Sequence, residues 1–477
     1  MLGGNVSPAV ASIADRRILP AAPPSSNAFA AAISLPSGSH AHGVALATLD
    51  ANATLDLVAA NAGSDTASVW LGAGNGTFGA RTDYPTGQVP KQISVGDLNG
   101  DGSQDLVSAN QEAGSVSVLL GDGSGAFEEK VDFPACPGTH ETALGDFNDD
   151  DLLDVIAACW GGSVVSVLLG NGDGTLEPKT DFGAGGAPHS VVVGDFDSDG
   201  ALDAAVANNA SSDVSILRGQ GDGTFFANVD YPVGVGPHSI RAGDVDADGR
   251  LDLVTADESS NTVSLLKGLA GGAFAAAVSY ATGPVPKGIA VADVSGDGIL
   301  DVLTANTAGS YPDCCQPGGD TISVLVGSGT GTFGAPTQST AGQTPFALAT
   351  GDLDGDGDRD VATANWHSDD VTILLNTTAA VVPPLNTTLP RARQQLTYPP
   401  IITVGNGGWT GSTPMSHSYQ WLRCTTLDIA SCAAIGGATS KTYVPVPADA
   451  GFRLRATVTA TNAGGSASAT SAPTEPV

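Results

Sequence analysis

The sequence predicts an all-β chain, a seven-bladed β-propeller followed by a small β-sandwich. Three observations predict it. An Asp-rich loop followed by a short apolar strand recurs seven times. The runs around each loop are β-branched, alternating and bounded by Gly and Asn, which is strand chemistry. No useful length of sequence carries a helical period.

The loops set the repeat. Clear copies start at Asp97, Asp146, Asp195, Asp244, Asp293 and Asp352, and a weaker one starts at Thr48. The first six starts, 48 to 293, are 49 residues apart, and the last step is 59, so one unit carries an insertion of about ten. Within the unit that begins near Ile93, a short apolar run precedes the loop. Asp105 to Ala109, Ser115 to Leu120 and a Gly turn from Gly121 to Phe127 follow it. Four short antiparallel strands per unit, seven times over, describe a propeller.

Closure is expected to be non-covalent. Phe29, Phe78, Phe127, Leu176, Phe225, Phe274 and Phe333 form one column that opens the fourth strand of each unit. Phe29 stands before any Asp loop, whereas the last unit ends at Val371 to Leu375 without such a residue. The segment Phe29 to Pro36 is therefore predicted to supply the fourth strand of the last blade and remove an open edge.

Composition excludes several functions. Among 477 residues, 18 Lys and Arg stand against 50 Asp and Glu, a net charge of −32. Nucleic acid and anionic membrane surfaces are both recognised with excess basic charge, so neither is an expected partner. Hydrophobic residues make up 41% and mean hydropathy is +0.08, enough apolar mass for real cores. Gly and Pro together are roughly 19%, below the range of low-complexity disorder. The uncharged stretch from Gly268 to Pro286 is broken by glycines and prolines and cannot span a membrane as a helix. Arg16 and Arg17 are not followed by the apolar core of a secretory leader.

The loops have the chemistry of calcium sites. Ca²⁺ takes about six to eight oxygens, and a loop with oxygen side chains at positions 1, 3, 5 and 9 can wrap one ion. Asp195, Asp197, Asp199 and Asp203 fit, as do Asp244, Asp246, Asp248 and Asp252, and Asp352, Asp354, Asp356 and Asp360. Asp97, Asn99, Asp101 and Asp105 lose a charge but no ligand. Asp293, Ser295, Asp297 and Asp301 are weaker. Asp146, Asn148, Asp150 and Asp154 carry Asp151 where position 6 wants Gly. The first loop keeps Asp50, Asn52 and Asp56 and is expected to be the weakest. Ordinary Asx turns do not demand four oxygen side chains at one spacing, and an EF-hand would need flanking helices and Glu at position 12. Up to seven structural Ca²⁺ ions are expected, which would bring −32 to −18.

The run G-D-F-D-S-D-G-A-L-D-A-A-V-A-N from Gly194, followed by V-S-I-L-R-G-Q-G-D-G-T-F from Val214, resembles bacterial FG-GAP-like (VCBS-type) repeats, related to the integrin alpha-subunit propeller. The resemblance covers about Phe29 to Asn376 and implies adhesion or recognition outside the cell. After it, S-Y-Q-W-L-R-C from Ser418 and A-D-A-G-F-R-L-R-A-T-V-T-A-T-N-A-G-G from Ala448 resemble bacterial immunoglobulin-like modules. Arg455 stands near the place of the second Cys of the usual cross-sheet disulfide, and Trp421 is expected in the core. The domain reading is a flexible segment 1–28, a propeller 29–375, a linker 376–398 and an immunoglobulin-like sandwich 399–477.

Antiparallel order puts the Asp loops and Gly turns on one face and leaves the other for binding, because loops on a rigid scaffold are free to carry function. On that second face His42, Lys91, His140, His189, His238, Lys287 and Phe346 fall in one column just before the inner strand. They read either as an anion-binding or pH-responsive collar or as a half-exposed strand entry. Trp160, Tyr311 and Trp366 lie on neighbouring loops and suit sugar stacking, a protein partner or rim packing. Cys136 pairs plausibly with Cys159, and Cys424 with Cys432, while Cys314 and Cys315 are adjacent in the inserted loop. An even cysteine count points to an oxidising compartment. The expected function is an extracellular or cell-surface calcium-binding recognition module for a protein or glycan, monomeric and without catalysis. The alternative is a carbohydrate-binding or catalytic component of a secreted polysaccharide-degrading system.

Overall fold

The computed structural model describes residues 29–307, 320–377, 384–395, 401–410, 415–462 and 465–477. The segment 1–28 and the inserted loop with Tyr311, Cys314 and Cys315 lie outside the described residues.

Seven four-stranded antiparallel sheets form the blades. In the second blade the strands are Pro90–Gly96, Asp105–Asn110, Ser115–Leu119 and Val131–Pro134, from the channel outwards. The second strand of every blade is buried along its whole length, and its alternation explains why. Successive side chains point to opposite faces of a strand. In Asp56–Asn61, Leu57 and Ala59 therefore enter one core with Ala362 and Ile373, while Val58 and Ala60 enter another with Ile93 and Leu106. The same division repeats around the ring, so each hydrophobic core belongs to two adjacent blades. A single blade has no core of its own and depends on both neighbours.

The ring closes as the aromatic column predicts. Ile33–Pro36 pairs antiparallel with Asp370–Leu374, from Ile33 opposite Ile373 to Pro36 opposite Asp370. Phe29 bridges Asn376, the counterpart of the Gly72–Phe78 and Gly121–Phe127 bridges in other blades. These residues close the Gly turn ahead of the outer strand rather than opening the strand itself. The innermost strands Ala41–Ala47 and Pro345–Gly351 also lie side by side. Close approach of neighbouring inner strands requires glycine elsewhere in the ring: a Cβ on Gly43 would stand 2.6 Å from the carbonyl oxygen of Lys91 in the second blade.

The C-terminal residues build small sheets. Ala392–Gln395, Ile401–Val404 and Thr442–Tyr443 form one, and Cys432–Ala434, Ser416–Cys424, Arg453–Asn462 and Gly465–Thr470 another. Trp421 is buried between them with Ile402, Val404, Leu454 and Val458, and its indole N–H donates to the Ser440 carbonyl at 2.9 Å. Asp449, fully buried, accepts from Arg423 Nε and from the Tyr443 hydroxyl, both at 2.8 Å. Disulfides join Cys136 to Cys159 and Cys424 to Cys432. The stretch read as linker needs a correction. Leu385–Thr388 pairs with Gly408–Thr410, and Ala392–Gln395 pairs with Ile401–Val404. The signal was missed because L-N-T-T and A-R-Q-Q carry almost no apolar alternation. Among the described residues no helix is long and apolar enough to cross a membrane.

Deleting the chain through Pro36 strips the last blade of its outer strand and bares the Asp370–Leu374 edge. The truncated protein is expected to melt at least about 5 °C lower, or to aggregate. Scanning calorimetry with light scattering checks this, and an unchanged melting curve would contradict the closure.

Candidate metal loops and a candidate ligand-binding mouth

The Asp loops are folded by their own carboxylates. Asp195 at position 1 accepts the N–H groups of Ser198, Asp199 and Gly200, at 2.7, 3.2 and 3.1 Å. Asp199 at position 5 accepts the Ala201 N–H at 2.9 Å. Asp97 and Asp293 repeat the first pattern, and Asp101 and Asp297 the second. Six of the loops turn through left-handed conformations at positions 4 and 6, and the first loop at position 6 alone, where Gly is easiest. Asp151 (φ +65°) and Ala53 (φ +60°) adopt that conformation at position 6 without being glycine.

These turns gather negative charge. Carboxylate oxygens of Asp195, Asp197 and Asp199 lie within 4.8 Å of one another, as do those of Asp244, Asp246 and Asp248, and of Asp352, Asp354 and Asp356. Like charges at that distance repel unless a cation stands between them. Arg218 lies 3.6 Å from Asp197 and Lys267 3.1 Å from Asp246, which meets part of the need. Two buried side-chain oxygens, Asn148 Oδ1 and Asp246 Oδ1, have no hydrogen-bond partner among the described residues. Both occupy position 3 of their loops. A buried orphaned oxygen beside a carboxylate cluster fits a hard cation. In the first loop Asn52 Nδ2 instead donates to Asp50 Oδ2 at 3.1 Å, so an amide fills part of the space.

The ninth-position residues have a role the sequence reading missed. Asp56, Asp105, Asp154, Asp203, Asp252, Asp301 and Asp360 are wholly buried. In Asp203, Oδ2 accepts the Phe196 N–H at 2.9 Å and Oδ1 the Gly219 N–H at 2.8 Å. The first bond holds the Asp loop and the second the start of the Gly turn. The same two bonds recur in the other six blades. Burial raises these carboxyls above their ordinary 3.8, against the lowering effect of the two N–H groups, and Asp203, Asp301 and Asp360 reach about 6. Each oxygen keeps a lone pair, so the staple does not preclude ligation.

On the opposite face the collar column is drawn inward. In every blade the pairing of the inner two strands skips one residue, and the skipped residue is the collar member. Such a bulge re-aims a side chain. His42, Lys91, His140, His189, His238 and Lys287 are buried, not half-exposed, and Phe346 is half-buried. Ring centroids stand 3.7 Å apart for His140 and His189, 4.1 Å for His189 and His238, and 4.7 Å for His42 and Phe346. Burial is the main force lowering all four histidines, with His189 brought to about 3, so the collar is uncharged imidazole at neutral pH. Burial, then Lys287, lowers Lys91 to about 8. Lys91 caps the Trp366 ring at 4.9 Å and Lys287 pairs with Glu258.

Above the collar opens a cavity of about 510 Å³, walled by Trp160, Trp366, Gln111, Asn209 and Glu258 as well as the collar. Trp160 is 49% exposed, and Trp366 stacks on His40 at 4.5 Å. Ala62, Gln111, Trp160, Asn209, Glu258, Thr307 and Trp366 form a second ring, one per blade. Each donates its N–H to the residue just before the inner strand, as Trp160 does to Gly138 and Glu258 to Gly236. Sequence reasoning named only the tryptophans, yet the 49-residue period marks Gln111, Asn209 and Glu258 as their equivalents. Val89 (φ +56°) and Val285 (φ +47°) are β-branched residues in left-handed conformation at this rim. The residue before the inner strand is left-handed in every blade, from His40 (φ +57°) to Thr344 (φ +59°), so this conformation belongs to the repeated strand entry. Below the collar, Glu141 and Arg241 join across the channel at 3.0 Å.

Asp203→Ala strands two buried N–H groups and is expected to cost about 2–5 kcal/mol, read from denaturant unfolding in chelator. A loss below about 1 kcal/mol would deny the staple its role. Two sets of buried groups pull the pH trend in opposite directions. The raised ninth-position carboxyls bind protons near pH 6 when folded and only near 3.8 when unfolded, so acidification to pH 5 favours folding through them. The four collar histidines are held well below their ordinary 6.5, so in the same window the unfolded state takes up their protons and acidification disfavours folding. Removing one staple carboxyl isolates its share: in excess chelator the melting temperature of Asp203→Asn is expected to fall further between pH 7.5 and 5 than that of the unaltered chain, and an equal or smaller fall would contradict the raised carboxyl.

Among curated proteins none matches the sequence. Similar solved structures include BBS1N in complex with ARL6DN, 12% identical over 74% of this chain and 98% of that chain, with a TM-score of 0.52. An Agrocybe aegerita lectin described as recognising non-reducing terminal N-acetylglucosamine is 18% identical over 70% of this chain and 88% of its own (TM-score 0.41). The periplasmic gluconolactonase of Pseudomonas aeruginosa is 18% identical over 61% and 83% (TM-score 0.46). At these identities the likeness to BBS1N is one of fold alone. The FG-GAP-like repeat matches residues 49–108, 97–157, 146–206, 195–255, 244–304 and 312–363, and with its repeated Asp loops and blades the chain belongs to the FG-GAP-like repeat family.

Proposed function

We propose that the protein is an extracellular, non-enzymatic recognition module whose Asp loops hold Ca²⁺ and whose opposite face binds a glycan. The observation that carries the reading is the walled cavity at the channel mouth. At about 510 Å³ it has the size of a small-molecule site. Trp160 and Trp366 offer flat apolar faces, and Gln111, Asn209 and Glu258 offer hydrogen-bonding groups beside them. A sugar has the same two characters, a C–H face that stacks on an aromatic ring and hydroxyls that need polar partners. The Cys136–Cys159 bridge beside Trp160 ties two loops of this face together and supports an oxidising compartment. The C-terminal sheets serve as a spacer of the immunoglobulin-like kind that the sequence resembles.

In the loops, Ca²⁺ would be held by the side chains at positions 1, 3 and 5, most completely in the three all-acidic loops. It would supply the charge compensation that Arg218 and Lys267 give only in part, and its role would be structural. Catalysis has less support. The channel carboxylates Glu141 and Glu258 are paired with Arg241 and Lys287, which leaves neither free as a general acid or base.

A glycan array probed with the Ca²⁺-loaded chain should retain a defined set of saccharides. Trp160→Ala or Trp366→Ala should weaken binding of the best one by about tenfold. Trp160 is half exposed, so its replacement should leave the melting curve in place. Retention of no saccharide, or binding that ignores both substitutions, would overturn the reading in favour of a protein ligand or another surface.

A further inference from the structure

We propose that His140, His189 and His238 form a transition-metal site at the channel mouth, separate from the Asp loops and suited to Zn²⁺, Cu²⁺ or Co²⁺. The three residues sit at the same bulge of three consecutive blades, so the ring closure itself aims them at one point. They are only 6%, 8% and 6% exposed, and each offers a nitrogen within 4.8 Å of the other two.

Their hydrogen bonds leave the ligand atoms free. His140 Nδ1 stands 3.0 Å from the His189 carbonyl oxygen. A carbonyl only accepts, so Nδ1 must carry the proton and Nε2 keeps its lone pair. A ring N–H fixed on a backbone carbonyl is how metal-binding histidines are usually oriented. His189 Nδ1 lies toward the His238 carbonyl, the same arrangement one blade on, and so also leaves Nε2 as its ligand atom. His238 Nδ1 is buried with no hydrogen-bond partner among the described residues, and a buried imidazole nitrogen without a partner is costly unless something binds it.

The donor set selects the ion. Three neutral imidazoles suit borderline transition metals and are poor ligands for Ca²⁺, which takes oxygen. An anion collar is less favoured. Lys287 is already paired with Glu258 and Lys91 lies over the Trp366 ring; both stand near enough to lower the histidines, so an ion there is held by the three nitrogens against their charge. Three protein nitrogens leave a further coordination position for water or an exogenous group. The inference rests on the collar alone and stands whether or not the mouth binds glycans.

Cobalt titration of the full chain in excess Ca²⁺ tests it, because Ca²⁺ occupies oxygen sites and Co²⁺ in a nitrogen-rich site of low coordination number absorbs visibly. One Co²⁺ per chain is expected, with visible d–d bands, micromolar or tighter affinity, and displacement by Zn²⁺. His189→Ala and His238→Gln should each weaken binding by at least about tenfold, while exposed His367→Ala should not. Melting curves in Ca²⁺ establish that each variant folds. Absence of the bands in the unaltered chain overturns the proposal without recourse to any variant. So does an affinity that survives loss of both His189 and His238.

Discussion

A buried carboxylate in each blade is the interaction on which the molecule depends. The ninth-position Asp reaches into the blade from its second strand and accepts an N–H from the Asp loop and another from the Gly turn. Without it, two loops on the same face would lose their common anchor. It also sets the electrostatic problem of that face. A wholly buried negative charge sits beneath a ring of further carboxylates, and two N–H dipoles do not neutralise it. A divalent ion at the loop centre would relieve both strains at once, which is why loop geometry and metal chemistry cannot be separated here.

The second constraint is shared burial. Because neighbouring side chains of each second strand feed different cores, the blades are not independent units. The first and last blades meet in the same way as any other pair, and the strand Ile33–Pro36 completes the last sheet from the other end of the chain. Stability of this kind is cooperative around a circle, and disorder in one loop is felt by two cores. A rigid ring is also what brings seven residues, each a whole repeat apart in sequence, to one channel.

Much of this was legible in the sequence because the repeat is strict. The 49-residue period gave the blades, the position of Phe29 gave the closing strand, and four oxygen residues at one spacing gave the candidate metal loops. What escaped depends on packing. The two backbone bonds of Asp203 require knowing that the Gly219 turn folds back over it. The collar looked like a half-exposed strand entry because a bulge leaves no mark in composition, and only ring closure shows that His140 and His189 come within 3.7 Å. Gln111, Asn209 and Glu258 were visible by period but chemically unlike one another, so the column did not announce itself. Leu385–Thr388 was lost because polar strands at a domain edge resemble linkers.

The acidic loops are proposed as ion cages that lock the ring, and a crystal structure of the calcium-loaded protein decides the matter. One ion is expected in each of the loops that begin at Asp195, Asp244 and Asp352, held by the side chains at positions 1, 3 and 5. Arg218 and Lys267 should then have swung away from Asp197 and Asp246. Empty loops in millimolar Ca²⁺, with both ion pairs intact, would contradict it.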